Sequence, residues 1–276
     1  MRAGEPMGGE AQVEERGPNG EILLERLDGP DSRGVVVVTL NRPEAFNASN
    51  EPLHTEVSRI WSELDADDSI NAIVLTGAGE AFCGGGDLGL LQRMVDDTEL
   101  RQATMDEGAV IVRTMTAVRV PIVAAVNGPA VGLGCSLTGM SDVVLVEEQA
   151  YFSDPHVALG LVAADGGALM WPLLTGLLRA KEHILLGDRV DAEEAVRIGV
   201  ANRVVAKGTS RDEAIKLATK FAKLPPQAVR ESKRLLNHAT LQAISAILDD
   251  ALDRETESFD EPAFQANLDR MLNRKK

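Results

Sequence analysis

Apolar positions along this chain fall in short runs that switch repeatedly between two-residue and helical spacing. Residues 21–27 and 35–41 are β-rich runs flanking the turn-forming cluster DGPDSRG, which predicts a β-hairpin. Ser49 or Asn50 then caps a helix with Pro52 in its first turn, and Leu53, Val57, Ile60 and Leu64 form its buried stripe. The apolar run 72–76 predicts a buried strand that enters GAGEAFCGGGDL, residues 77–88, where Asp87 favours a helix start. A long helix follows over 100–118. The next strand, 121–126, is broken by Asn127, Gly128 and Pro129, and the glycine pair Gly132 and Gly134 opens a helix over 135–140. Further strands are predicted at 142–146 and 201–205, and the extended segment 151–155 delivers His156. Two short amphipathic helices fit within 177–198. Helices at 214–224, 227–237, 241–258 and 262–273 complete the chain, the third with Ile244, Ile247, Leu248 and Ala251 on one face.

Strands alternating with helices, each strand ending in a short loop, imply an α/β core with its loops gathered on one side, followed by a helical C-terminal part. The pattern divides the chain into a flexible tail over 1–20, a core over 21–206 and a helical subdomain over 207–276. With 276 residues and 44% hydrophobic content, the chain can bury a full core in one or two domains. No apolar run reaches membrane-spanning length, and the Gly- and Glu-rich first residues lack the apolar segment of a secretion signal, so a soluble cytoplasmic protein is expected. The two cysteines, Cys83 and Cys135, lack the spacing of a metal site or a disulfide framework and read as small buried thiols.

A formal net charge of −15 argues against a nucleic-acid partner, which needs a basic surface. A small anionic ligand stays compatible, because a few local cations and N–H groups can hold it. Lys216, Lys220, Lys223, Arg230, Lys233 and Arg234 form the one basic grouping and read as a solvated helix face. The strand, glycine loop and helix arrangement occurs twice, at 72–88 and 121–140. Glycines let the backbone approach a ligand closely, and a helix start presents free N–H groups, so two such loops can offer two donors to one oxygen atom.

VVVVTLNRPEAFNA (35–48), IVLTGAGEAFCGGGDL (73–88), PIVAAVNGPAVGLGCSL (121–137), YFSDPHVALGL (151–161) and LLGDRVDAEEAVRIGVANRVV (185–205) together resemble the crotonase superfamily, the enoyl-CoA hydratase/isomerase family. The resemblance runs from about residue 22 to the end. It implies a ββα spiral core with a C-terminal helical subdomain used in trimerisation, and a homotrimer or hexamer. It also implies an enzyme of acyl-CoA and fatty acid metabolism, a lyase or hydrolase, with no permanently bound cofactor or metal and with coenzyme A entering as part of the substrate. The thioester oxygen would lie between the backbone N–H groups of Gly86 and Leu133. Contacts to CoA would come from Ala45 and Phe46, from Cys83, Gly84 and Gly85, and from a C-terminal cation such as Lys233.

Family hydratases use two glutamates, and the matching positions here hold Ser136 and His156. A serine hydroxyl is not a general base near neutral pH, so the two-glutamate mechanism cannot run unchanged. His156 is the candidate base, with Asp165 to fix its tautomer, a pair similar to that of the β-diketone hydrolase branch of the superfamily. His54, on the helix after the first family block, is a further candidate. Three readings follow: an acyl-CoA enzyme with a His–Asp dyad, a hydrolase of β-diketone C–C bonds that needs no CoA, and a non-catalytic acyl-CoA binder.

Overall fold

Valine fills four consecutive positions from Val35, and a run with no polar alternation suits a strand covered on both faces. That is where it lies in the computed structural model, which describes residues 12–29, 32 and 34–274. The strands are β1 (Gln12–Arg16), β2 (Ile22–Leu27), β3 (Val35–Leu40), β4 (Ala72–Gly77), β5 (Ile122–Val126), β6 (Ala130–Val131), β7 (Val143–Glu147), β8 (Tyr151–Ser153), β9 (Val190–Asp191) and β10 (Arg203–Val205). Among the described residues, β1-β2-β3-β4-β5-β7-β10 form one sheet, and β6-β8-β9 form a second, small one. β1, β2 and β3 are antiparallel, with Leu27 opposite Val35, and the rest of the large sheet is parallel.

Alternate side chains of these strands enter two different cores. Val36, Val38, Ile73, Leu75 and Ile122 face helices Glu51–Ala66 and Thr98–Ala117. Val35, Val37, Val74, Val123 and Leu145 face Ala214 and Ala218 of helix Ser210–Ala222. That last helix, grouped by its sequence pattern with the C-terminal part, thus covers one face of the sheet. Helix His238–Ser258 folds back on Thr98–Ala117, and Pro262–Arg274 packs on Leu88–Asp96, so the chain's end roofs the space beside the glycine loops.

The hairpin and the helix capped by Asn50, whose side chain accepts from the Leu53 N–H, form as the residues imply. Two regions differ from the pattern. Residues 12–16, placed in the tail by composition, pair with β2, and the remainder of that expected tail lies outside the described residues except for residues 17–20. Helix Gly167–Thr175 has no counterpart in the expectation, because apolar residues on every side and an internal Pro172 hide its period. Among the described residues, no helix is long and apolar enough to cross a membrane.

Candidate active site

The two glycine loops lie side by side. Cys83 and Ala130 form a parallel bridge, and the Val131 N–H donates to the Cys83 carbonyl at 2.8 Å. Beyond that bridge the loops stay in contact, since a methyl group built on Gly132 would lie 3.6 Å from Gly85 Cα. On the outer side the Ser49 N–H donates to the Gly85 carbonyl and the Asp87 N–H to the Ser49 carbonyl, at 2.7 and 3.0 Å, which holds the first loop open. Asp87 caps helix Leu88–Asp96 by accepting from the Gly89 and Leu90 N–H groups. Leu133 is the first residue of helix Leu133–Gly139. Among the described residues, neither the Gly86 nor the Leu133 N–H has a partner within the protein. Both residues line one cavity of about 180 Å³, together with His54, His156, Asp165 and Glu255.

Gly132 explains the approach of the imidazole. It has φ +50, and a methyl group built on it would lie 3.6 Å from His156 Cε1 and 3.6 Å from Gly85 Cα. A side chain there would be strained by the positive φ, and its first carbon would fill the contact between the first loop and the ring.

The partner that fixes His156 is Asp154, not Asp165. Nδ1 of His156 lies 2.5 Å from Asp154 Oδ1, whereas Nε2 is 3.9 Å from Asp165 Oδ1, beyond hydrogen-bond reach. The reason is local. The Asp154–Pro155–His156 turn lets Asp154 also accept from the His156 N–H at 3.3 Å, so carboxylate and ring are held by the same bend. Asp165 instead accepts from the hydroxyl of the buried Ser136 at 3.1 Å. Ser136 therefore supports a carboxylate and does not line the cavity.

A third carboxyl, Glu255, enters from helix His238–Ser258, 3.8 Å from His156 Nε2 and 5% exposed, and accepts from the Ala164 N–H at 3.2 Å. Nothing in the family motifs marks it. It continues the buried stripe of Ile244, Leu248 and Leu252, and a carboxyl on an otherwise apolar stripe is the signal that could have found it. Burial pushes the Glu255 carboxyl up to about 8. Burial alone would lower the basicity of His156, but Asp154, Asp165 and Glu255 outweigh it and hold the imidazole well above its usual value. Asp154, penalised by burial, is nonetheless held below the ordinary carboxylate range by His156. The surrounding carboxylates thus favour the protonated form of the ring. Because Glu255 binds its proton more tightly when folded, its contribution to stability is full below 4.5 and is lost as pH rises to about 8. Glu255→Gln is expected to flatten the decline of stability across that window, measured by urea unfolding at a series of pH values.

His54 lines the same cavity, with Nδ1 2.8 Å from Glu107 Oε2, and the Thr55 hydroxyl donates to the other oxygen of Glu107 at 2.7 Å. Burial would raise Glu107, yet these two hydrogen bonds bring it below its ordinary value. Sequence reasoning missed Glu107 because it sits on the neighbouring helix, far away in the chain.

The CoA-contact residues fare unevenly. Ala45 and Phe46 end a short 3-10 turn beside the first loop, where the Gly84 N–H donates to the Phe46 carbonyl at 2.9 Å and the Phe46 ring is exposed. Gly84 and Gly85 line the cavity. Cys83 does not: its N–H and carbonyl are both taken by Pro129 and Val131, and its buried thiol is pushed up to about 11 by burial. Lys233 does not either. It is buried away from this cavity, 2.6 Å from Asp142 Oδ2 and 2.7 Å from the Val120 carbonyl, tying a C-terminal helix to the sheet. Lys233→Met is expected to lower stability by about 1–3 kcal/mol in urea unfolding, because Asp142 loses its cation, and to leave thioester affinity in calorimetry unchanged. Lys216, Lys220, Lys223 and Arg234 lie exposed on the helical surface, Arg230 is half-buried and donates to the Ile70 carbonyl at 3.3 Å, and among the described residues no group of His, Cys, Asp or Glu is arranged to hold a metal ion.

Two unpartnered amides and an imidazole line one largely apolar cavity, groups of the kind that hold negative charge on a carbonyl oxygen while a proton moves nearby. The family model for enoyl-CoA hydratase/isomerase matches residues 31–276. A probable enoyl-CoA hydratase of Mycobacterium bovis is 38% identical over 224 residues, 81% of this chain and 84% of that protein. The 1,2-epoxyphenylacetyl-CoA isomerase of Escherichia coli is 34% identical over 233 residues, 83% of this chain and 87% of that protein. A crystal structure of an enoyl-CoA hydratase/isomerase from Mycobacterium paratuberculosis superposes with a TM-score of 0.85 at 44% identity, covering 96% of this chain and 100% of that one. The chain belongs to the enoyl-CoA hydratase/isomerase family of the crotonase superfamily, enzymes of acyl-CoA metabolism.

Proposed function

We propose that this chain moves a proton at the carbon next to the carbonyl of an acyl-CoA thioester, through an enolate held by the Gly86 and Leu133 amides. The observation that carries the reading is the single cavity shared by those free amides and the Nε2 side of His156. In this reading the thioester oxygen accepts from both N–H groups as charge gathers on it. His156, fixed by Asp154, takes the α-proton as a neutral imidazole, which forms the enolate, and as the imidazolium then returns a proton to that carbon. Asp165 and Glu255, at 3.9 and 3.8 Å from Nε2, are within one small shift of the ring and share that proton. Such a cycle fits an isomerisation or the α-carbon step of hydration, and it needs neither hydratase glutamate.

The test is deuterium uptake at the α-carbon of butanoyl-CoA in D2O, followed by mass spectrometry. Uptake dependent on His156 supports the reading; tight thioester binding with no uptake in the wild type favours a non-catalytic binder. The β-diketone reading draws on one observation, the second imidazole, His54, on the same cavity with Glu107 behind it. It predicts hydrolysis of a diketone panel without CoA and no deuterium uptake by the thioester.

Coenzyme A would arrive with the substrate over the exposed Phe46 and the glycine loop. The exposed side chains of Leu177, Leu178, Leu185, Leu186, Leu235 and Leu236 support a homotrimer or hexamer, which sedimentation velocity would read directly.

A further inference from the structure

Helix Thr98–Ala117 carries a glycine, Gly108, at a buried position in its interior. Glycine is the poorest helix former after proline, so an interior glycine calls for a reason in backbone angle, collision or space. Backbone angle is not the reason, because Gly108 is absent from the glycines with positive φ. Collision is not the reason either: a methyl group built on Gly108 meets only Leu252 Cδ2, at 3.9 Å, an ordinary contact distance. What Gly108 does face is the cavity of Gly86, Leu133 and His156. The missing side chain is therefore volume.

We propose that Gly108 sets the depth of the acyl pocket and so selects a thioester bearing a compact, ring-sized apolar acyl group; this rests on the acyl-thioester reading above. The wall around Gly108 is apolar, built from Leu90, Met94, Met105, Leu252 and Phe259. The Thr104 hydroxyl donates to the Leu100 carbonyl of its own helix at 2.9 Å and asks nothing of a ligand, and the other hydroxyl on the lining, of Ser49, stands at the first glycine loop. The glycine-loop residues and His156 meet at Gly132, while His54 turns its Nδ1 to Glu107, so a thioester held by its oxygen can lay its hydrocarbon along the apolar wall. The cavity, about 180 Å³, is close to the roughly 150 Å³ of an apolar protein cavity that takes up benzene. A leucine at 108 would push four carbons into that space, whereas an alanine would trim it by one.

The experiment measures affinity by calorimetry for butanoyl-CoA, cyclohexylacetyl-CoA and dodecanoyl-CoA, with wild type, Gly108→Ala and Gly108→Leu, beside thermal midpoints and deuterium uptake. The wild type binds the cyclohexyl thioester tightest of the three. Gly108→Leu weakens the cyclohexyl thioester by about ten-fold or more while butanoyl-CoA stays within about two-fold, as a few carbons in an apolar pocket imply. Gly108→Ala gives a smaller loss in the same direction with a raised thermal midpoint, which shows that the fold does not require the glycine. An unchanged order of affinities in both variants, or an equal loss for all three thioesters, overturns the assignment. Binding is read independently of turnover, so absent deuterium uptake in the wild type refutes the proton-transfer reading alone, while a wild type that binds none of the three refutes both.

Discussion

Replacing His156 by alanine lowers α-carbon deuterium uptake by roughly 10²–10⁴-fold, the range for loss of a positioned acid–base group. His156 lines the cavity of the free amides and is held from behind, with Nδ1 2.5 Å from Asp154. Alanine also leaves Asp154, 2% exposed, without its cation, so a drop in stability accompanies the loss. His156→Gln separates the two effects, since its amide can still donate toward Asp154 but cannot carry a proton to carbon. Asp154→Asn tests the positioning role: with one anion removed, the imidazole loses part of what holds it above its usual value, and the pH profile of uptake moves to lower pH. Undiminished uptake in both His156 variants would take the imidazole out of the chemistry.

Leu133→Pro removes a single N–H and is expected to reduce uptake by roughly 10²–10³-fold, the measured scale for one oxyanion donor. The backbone accepts proline here, because Leu133 is the first residue of helix Leu133–Gly139, while the buried leucine side chain is lost as well, so stability is measured beside the rate. Gly132 before it has no side chain to clash with the new ring. Since the amide acts on charge that develops during reaction, butanoyl-CoA affinity should change far less than the rate. Equal losses in affinity and rate would instead assign Leu133 to ground-state binding. A rate like that of the wild type, in a folded variant, would mean that the thioester oxygen sits elsewhere.

Much of this architecture could be read along the chain. The unbroken valines from Val35 announce a strand buried on both faces, Asn50 and Asp87 announce helix starts through their side-chain caps, and the repeated glycine-loop pattern announces two loops of like build. These are local properties, fixed by the spacing of apolar residues and by which residues can accept from a free N–H. The register of the two loops, set by the Cys83–Ala130 bridge, is not local. Lys233 reads as a solvated or ligand-binding cation only until the fold buries it beside Asp142. Asp165 looks like the natural partner of His156 because it is an unusual carboxylate in a family motif, yet the closer Asp154 wins through the geometry of one turn.

By itself, then, the sequence determined the α/β core, the two glycine loops and the presence of an imidazole beside them, because each follows from interactions between residues close in the chain. Only the tertiary structure decided which charges surround that imidazole. Glu255 reaches it from a helix 99 positions later than His156, and Glu107 reaches His54 from 53 positions away. Proton affinity in a buried cluster depends on distances of a few ångströms and on exclusion of water, and neither is encoded until distant segments pack together.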